Sequence, residues 1–140
     1  MTRIEHANIT VPDLEAATAF LAVVAPDFVV RHEDRSSQGY RWRHVGNAQC
    51  YFALQEPQPG SEAAPALGRY AGVGVNHFGL EVSGLEAMMR RLDAEGYARS
   101  YPVQREPGRL RAYFYDRAGF EWELIEYSTD DPAQRYRYDS

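Results

Sequence analysis

Apolar and polar residues alternate along Ile4-Glu5-His6-Ala7-Asn8-Ile9-Thr10-Val11, and the period then changes, with Leu14, Ala17, Leu21 and Val24 falling on one helical face. The pattern predicts a strand over residues 3 to 11 that runs into an amphipathic helix, entered at Pro12-Asp13 and closed by Pro26-Asp27. The same pattern is written again at Val75-Asn76-His77-Phe78-Gly79-Leu80-Glu81-Val82, followed by Leu85, Met88, Met89 and Leu92 as the inward stripe of a second helix. Laid on each other without a gap, the two stretches put His6 on His77, Ile9 on Leu80, Val11 on Val82, and Leu14-Glu15-Ala16 on Leu85-Glu86-Ala87. Ser83 and Glu86 read as a capping box at the start of the second helix, and Gly96 as its end.

Three strand-like runs follow each helix. In the first half they are 28–35, 40–45 and 49–55, separated by Ser36-Ser37-Gln38-Gly39 and by Gly46-Asn47. In the second half they lie near 97–104, 110–115 and 120–127. Residues 57–74 are rich in Pro, Gly and Ala, follow neither period, and read as a linker. The prediction is an α+β chain forming a single domain over 1–140. A βαβββ module (3–56) and the linker (57–74) precede a second βαβββ module (75–128), and a polar tail (129–140) lies over the body or frays.

A chain built twice from one unit has an internal pseudo-twofold axis. If one helix covers the outer face of each sheet, the polar strand faces turn inward around a cleft. Ala7, Ile9, Phe78 and Leu80 are needed against the helices, so His6 and His77 point into that cleft. The same parity sends Trp122 and Leu124 to the core, with Glu126 at the end of that face, and places Glu121, Glu123 and Ile125 in the cleft. On the neighbouring run Leu110, Ala112 and Phe114 go to the helix, while Arg111, Tyr113 and Tyr115 face the cleft.

Composition narrows the chemistry. Net charge is −5 with no basic cluster, which gives no electrostatic footprint for nucleic acid or an anionic membrane. All fifteen basic residues are arginines, so Schiff-base catalysis by a lysine is excluded and carboxylate, imidazole, phenol or metal chemistry remains. The single cysteine, Cys50, cannot form an intrachain disulfide and reads as a small packed residue beside Tyr51 and Phe52. With no apolar signal core and no run of membrane-spanning length, the expectation is a soluble cytoplasmic domain.

On its duplicated histidine-bearing strand and helix, and on the ending Asp116-Arg117-Ala118-Gly119-Phe120-Glu121-Trp122-Glu123-Leu124, the chain from Arg3 to Tyr127 resembles the vicinal oxygen chelate superfamily. That superfamily includes glyoxalase I, extradiol dioxygenases, methylmalonyl-CoA epimerase, fosfomycin-resistance enzymes and bleomycin-resistance proteins. Arg117 stands where the family's Asp-Pro-x-Gly turn has Pro. The resemblance implies a glyoxalase/dioxygenase-type cleft with metal ligands from the first and last strands of each half: His6, His77 and Glu123. Matching the Gly46 and Gly119 turns puts Ala53 at the fourth position. Two imidazoles and one carboxylate are the ligands of a facial triad, which favours Fe(II), while Zn, Ni, Mn or Co accept the same set. Tyr113 precedes Asp116 by three residues and Glu123 by ten, as does the tyrosine that polarises substrate in extradiol dioxygenases, and it is the catalytic candidate. The histidine which that pattern wants ahead of the tyrosine is absent, Gln104-Arg105-Glu106 occupying the stretch, and the linker holds no histidine base. His32 and His44 read as ordinary strand histidines, His44 the better placed to border the cleft.

Three functions compete. The first is a small divalent-metal-dependent enzyme, dioxygenase-like, that chelates two neighbouring oxygens of a small-molecule substrate, with Trp42, Tyr51, Gln55, Arg111, Tyr115 and Glu121 binding the rest of it. The second is a glyoxalase I-like lyase or isomerase, against which the methyl group of Ala53 stands, because that reaction shuttles protons through glutamates at the metal. The third is a metal-free small-molecule binding protein of the bleomycin-resistance kind, which needs no triad; retention of all three ligands argues against it. An enzyme is therefore favoured. A homodimer is expected, because two four-stranded sheets leave edges that pairing covers.

Overall fold

Asp13 starts the first helix. Its carboxylate accepts a hydrogen bond from the Ala16 N–H at 2.9 Å, satisfying an otherwise unpaired donor at the head of α1 (Leu14–Val24). In this computed structural model, which describes residues 1–61 and 70–138, α1 belongs to a unit built from the first half of the sequence. Four strands complete it: β1 (His6–Thr10), β2 (Val29–Arg35), β3 (Arg41–Gly46) and β4 (Tyr51–Gln55). They lie in the order β1-β4-β3-β2, with β1 parallel to β4 and the other neighbours antiparallel. A parallel pair needs a long crossover, and α1, β2 and β3 supply it. Leu14, Ala17, Phe20, Leu21 and Val24 are buried on α1, as are Ile9, Val45, Phe52 and Leu54 on the sheet.

A charge also lies on this buried face. Arg43 is only 7% exposed, and donates to Glu33 at 2.6 Å, to Glu15 at 3.0 Å and to the Thr18 hydroxyl at 2.8 Å. A buried guanidinium is tolerable when its donors are taken up in this way. The Arg43 hydrogen bond in turn holds the Glu15 carboxyl below the usual glutamate range.

The second unit repeats the order with β5 (Phe78–Glu81), α2 (Leu85–Ala94), β6 (Arg99–Glu106), β7 (Arg109–Tyr115) and β8 (Glu121–Tyr127). Its sheet runs β5-β8-β7-β6, again with the first and last strands parallel. Leu85, Met89, Leu92, Tyr97, Ala112, Phe114, Trp122 and Leu124 form its core. The Trp122 indole N–H donates to the Asp116 carboxylate at 3.2 Å, so the polar edge of the buried ring has its partner. The α+β class and the two βαβββ modules are as the sequence predicts.

Local expectations fare unevenly. β1 and β5 are shorter than predicted, so His6 is the first residue of its strand and His77 stands immediately before its own. Met88, expected inward, is half-buried. The capping box at Ser83 and Glu86 does not form. The N-cap of α2 is Gly84, in the left-handed region at φ 69°, with no side-chain cap of its own. Glu126 on β8 takes over, accepting from the N–H groups of Gly84 and Leu85, while Glu86 pairs with Arg105 at 2.5 Å. A carboxylate at a helix N-terminus is favoured wherever in the sequence it comes from.

Of the linker, residues 62–69 lie outside the described residues, as do 139–140 of the tail; 57–61 and 70–74 carry neither helix nor strand. The tail forms α3 (Pro132–Arg135) and returns to its own sheet, where Arg135 bonds Glu81 at 2.6 Å and lies 4.1 Å over the Tyr127 ring. Among the described residues no helix is long and apolar enough to cross a membrane.

Candidate functional site

The ladders of the second sheet decide what surrounds Glu123. Gly79 of β5 and Tyr113 of β7 are its register partners, so all three share one face, opposite the α2 face that holds Leu124 and Trp122. A side chain at Gly79 would stand beside the carboxylate, its Cβ 3.7 Å from Glu123 Oε2. His77, just ahead of β5, reaches the same carboxylate. Its Nε2 lies 3.0 Å from Glu123 Oε2, and its Nδ1 lies 3.3 Å from Glu121 Oε1. The other oxygen of Glu123 accepts from the Tyr113 hydroxyl at 3.0 Å, and Arg111 donates to that hydroxyl at 2.7 Å. Arg111 is itself fixed by Glu106 at 2.5 Å.

This chain of bonds sets the protonation of Tyr113. Burial, then the negative charge of Glu123, pushes its phenol up to about 12. Tyr113 is therefore neutral near pH 7, a donor and not a base. Glu121, expected among the substrate-binding residues, is 5% exposed and its carboxylate lies behind His77.

The first module carries its counterpart. β1 and β4 pair in parallel with His6 opposite Tyr51 and Asn8 opposite Ala53, just as Gly79 stands opposite Glu123. Ala53 thus occupies the register position of Glu123, and His44, opposite Ala53 on β3, occupies that of Tyr113. His6 stacks on Tyr51 at 5.0 Å between ring centroids, and Glu5 contacts its Nδ1 at 2.5 Å. From Tyr51 the ring contacts continue through His44 (4.7 Å) and Trp42 (5.1 Å) to His32 (5.2 Å). Burial lowers the His44 pKa, helped by His32. His32 and His44, expected as ordinary strand histidines with His44 the better placed at the cleft, both lie on the His6 face, as strand parity requires. Gln55 ends β4 opposite Trp42, and Tyr115 ends β7 opposite Glu121.

Whether a divalent metal fits can be tested on the donor set. His77 Nε2 and Glu123 Oε2 are hydrogen-bonded to each other at 3.0 Å, and ligands held about 2.1 Å from one ion at right angles would also be roughly 3.0 Å apart, so an ion could replace that bond. Each histidine also has a carboxylate at Nδ1, Glu121 for His77 and Glu5 for His6, the arrangement that turns Nε2 toward a metal. Among the described residues no group of three or more His, Cys, Asp or Glu side chains is placed to hold a metal ion. The second module contributes a fitting pair.

Beside this pair is a pocket of about 380 Å³ within the second module. Glu123 and Ile125 lie on its floor, Arg109 and Arg111 on one side, and Arg135 and Tyr138 of the tail on another.

Two βαβββ modules of this strand order, each with a histidine at the head of its first strand, define a class of small duplicated α+β proteins. The chain belongs to the Glyoxalase/Bleomycin resistance protein/Dioxygenase superfamily, whose sequence pattern it matches over residues 3–124. No curated protein sequence matches it closely enough to count as a relative. Among solved structures it is similar to a glyoxylase/bleomycin resistance protein/dioxygenase domain from a Frankia species, with 18% identity, TM-score 0.73, and coverage of 98% of this chain and 99% of that one. It is also similar to the fosfomycin resistance protein FosX from Listeria monocytogenes, solved with Mn(II) and sulfate (17% identity, TM-score 0.65, coverage 98% and 99%). A third is TnmS3, an antibiotic binding protein from a Streptomyces species (21% identity, TM-score 0.64, coverage 91% and 98%). At these identities the likeness is one of fold.

Proposed function

We propose that the chain is a divalent-metal-dependent enzyme acting on a small molecule with two neighbouring oxygens, with His77 and Glu123 as metal ligands in the second module and His6 the corresponding histidine of the first. The observation that carries this reading is the 3.0 Å separation of His77 Nε2 and Glu123 Oε2, with Glu121 behind the imidazole. A bound divalent ion would supply Lewis acidity to the paired oxygens, and Fe(II) is favoured for a set of two histidines and one carboxylate. The chain's own residues do the rest. With an ion bound, Glu121, 3.3 Å from His77 Nδ1, would accept the proton of that nitrogen and leave Nε2 free to coordinate. Tyr113, neutral and fixed by Arg111, keeps the free oxygen of Glu123 from turning away and presents its hydroxyl beside the site. Within the first module, Tyr51 lies against His6 and Trp42 against His44, flat rings of the kind on which a planar ligand packs.

Of the reactions open to such a site, ring-cleaving oxygenation of a catechol-like substrate is preferred over glyoxalase-type isomerisation. Proton abstraction next to a carbonyl needs a base within about 3 Å, and the position equivalent to Glu123 in the first module is the methyl group of Ala53. The test loads anaerobic, metal-stripped protein with Fe(II) or Ni(II), then measures oxygen uptake on a catechol panel and isomerisation of the methylglyoxal-glutathione hemithioacetal. Fe(II)-dependent oxygen uptake is expected. Robust Ni(II)-dependent isomerisation would reverse the order, and absence of metal uptake would leave a metal-free binding protein.

A cytoplasmic homodimer completes the proposal. β2 is exposed along its whole length, with Val29 58% and Val30 47% exposed, and an open edge of this kind favours pairing. Sedimentation equilibrium at micromolar concentration should give twice the 15.9 kDa chain mass. A monomer would remove this part of the reading.

A further inference from the structure

We infer that the C-terminal segment, residues 129–138, is a specificity-determining wall: it closes one end of the pocket beside Glu123 and restricts the occupant to a short, uncharged group the size of a single aromatic ring. That occupant would be part of the substrate of the site proposed above, and to that extent the inference rests on that reading.

Several bonds anchor the segment. The Asp131 N–H donates to the Thr129 hydroxyl at 3.1 Å, and the Asp131 carboxylate accepts from the Ala133 N–H at 3.0 Å, so a closed turn starts α3 and sends the chain back over its own sheet. Arg135, its side chain 14% exposed, bonds Glu81 of β5 at 2.6 Å and lies 4.1 Å over the Tyr127 ring of β8. Tyr136 meets the same ring edge-on at 5.8 Å, and the Arg109 guanidinium of β7 lies 5.0 Å over the Tyr138 ring. The segment thereby contacts three neighbouring strands, β5, β8 and β7. Gly108, at φ 81°, admits it closely, since a Cβ there would stand 3.3 Å from the Gln134 carbonyl oxygen. All of the segment lies after residue 124, where the superfamily match ends.

Distance along β8 sets the length of the occupant. Glu123 and Tyr127 share one face of that strand with Ile125 between them, and all three line the pocket. Four residues of strand span about 13 Å, and a contact distance of about 3.7 Å at each end leaves roughly 6 Å for the atoms of a ligand. One ring with a short substituent fits that length, whereas two rings in line exceed it. Charge sets the second condition. Arg135 is answered by Glu81 at 2.6 Å, with Asp130 3.7 Å away, and Arg109 by Glu106 at 2.5 Å. A wall whose ions are already paired gives a further ion no partner in exchange for its water. The apolar Ile125 between Glu123 and the tyrosine rings of the wall suits an uncharged planar group.

The test follows the Gly79 amide by NMR in the full chain, stripped of metal by a chelator, during titration with phenol, 4-phenylphenol, 4-hydroxybenzamide and 4-hydroxybenzoate. Phenol should bind at least about tenfold tighter than 4-phenylphenol, and the benzamide at least about tenfold tighter than the benzoate. Arg135→Ala removes the anchor and should bring 4-phenylphenol to within about twofold of phenol. Tyr138→Ala, at a ring 78% exposed, shortens the wall without touching the anchor and should move the ratio in the same direction. In the parent, 4-phenylphenol binding as tightly as phenol, or the benzoate as tightly as the benzamide, would overturn the inference. So would a phenol to 4-phenylphenol ratio unmoved by both substitutions, or no response of Gly79 to any ligand. Since the assay contains no metal, size-selective binding alongside absent metal uptake would count against the metal centre alone. Intact metal uptake with an unmoved ratio would count against the wall alone.

Discussion

Ala53 stands in the first module where Glu123 stands in the second: each is on the last strand of its sheet, opposite the third position of the stretch that begins with His6 or His77. One half of the duplication thus keeps a carboxylate and the other a methyl group. The asymmetry makes Ala53→Glu informative. Ala53 is 8% exposed, so a glutamate there buries a charge and should lower the melting temperature in chelator. If the position is the fourth ligand site, added Ni(II) or Zn(II) should restore more stability in the variant than in the parent. Equal metal-induced shifts would show that position 53 does not face the metal.

That equivalence was legible through the family resemblance, by matching the Gly46 and Gly119 turns, whereas the faces of the strands followed from local periodicity. Alternation around His6 and His77 and the helical stripes that follow give strand, helix and face from neighbours in the chain. What the sequence did not disclose depends on residues far apart. The carboxylate that caps α2 is Glu126, on β8, whereas the local pattern pointed to Ser83 and Glu86. Arg43 sits on the buried face because Glu15 and Glu33, from α1 and β2, meet it there. Glu121 had the parity of a pocket residue, yet His77 occupies it from above. Alternation assigns a face, not the neighbour that takes the side chain.

The capping correction has a direct check. Glu126→Ala should cost about 1 kcal/mol in denaturant unfolding, the usual worth of a helix cap. Ser83→Ala should cost almost nothing, since Ser83 makes no cap bond to α2. If Ser83→Ala proved the more damaging, the cap would be the local one after all.

Tyr113 should be visible by its titration. The folded phenol ionises at about 12 against 10.0 for an ordinary tyrosine. Its folded value is raised, so the stability this group contributes is complete below pH 10, where both states are protonated. It is lost as pH rises through 10 to 12, because the unfolded chain releases its proton first. Ultraviolet titration should show a late tyrosinate absent from Tyr113→Phe, and the substitution should flatten the decline in stability over that window. A Tyr113 that titrated with the exposed tyrosines would mean that its burial beside Glu123 does not persist in solution.

The metal centre itself predicts an order among substitutions. His77→Ala and Glu123→Ala each remove a proposed ligand and should abolish tight uptake in a competitive chelator titration. Glu121→Gln leaves all ligands in place but weakens the acceptor at His77 Nδ1, now 3.3 Å away, and should cost about 10–100-fold in metal affinity. Tyr113→Phe removes only the hydroxyl on the far oxygen of Glu123 and should cost less than Glu121→Gln. His6→Ala decides whether the first module takes part. If its affinity fell as far as that of His77→Ala, both histidines would be ligands; if it matched the parent, the metal would belong to the second module alone. A Glu121→Gln variant indistinguishable from the parent would show that Glu121 does not orient the imidazole.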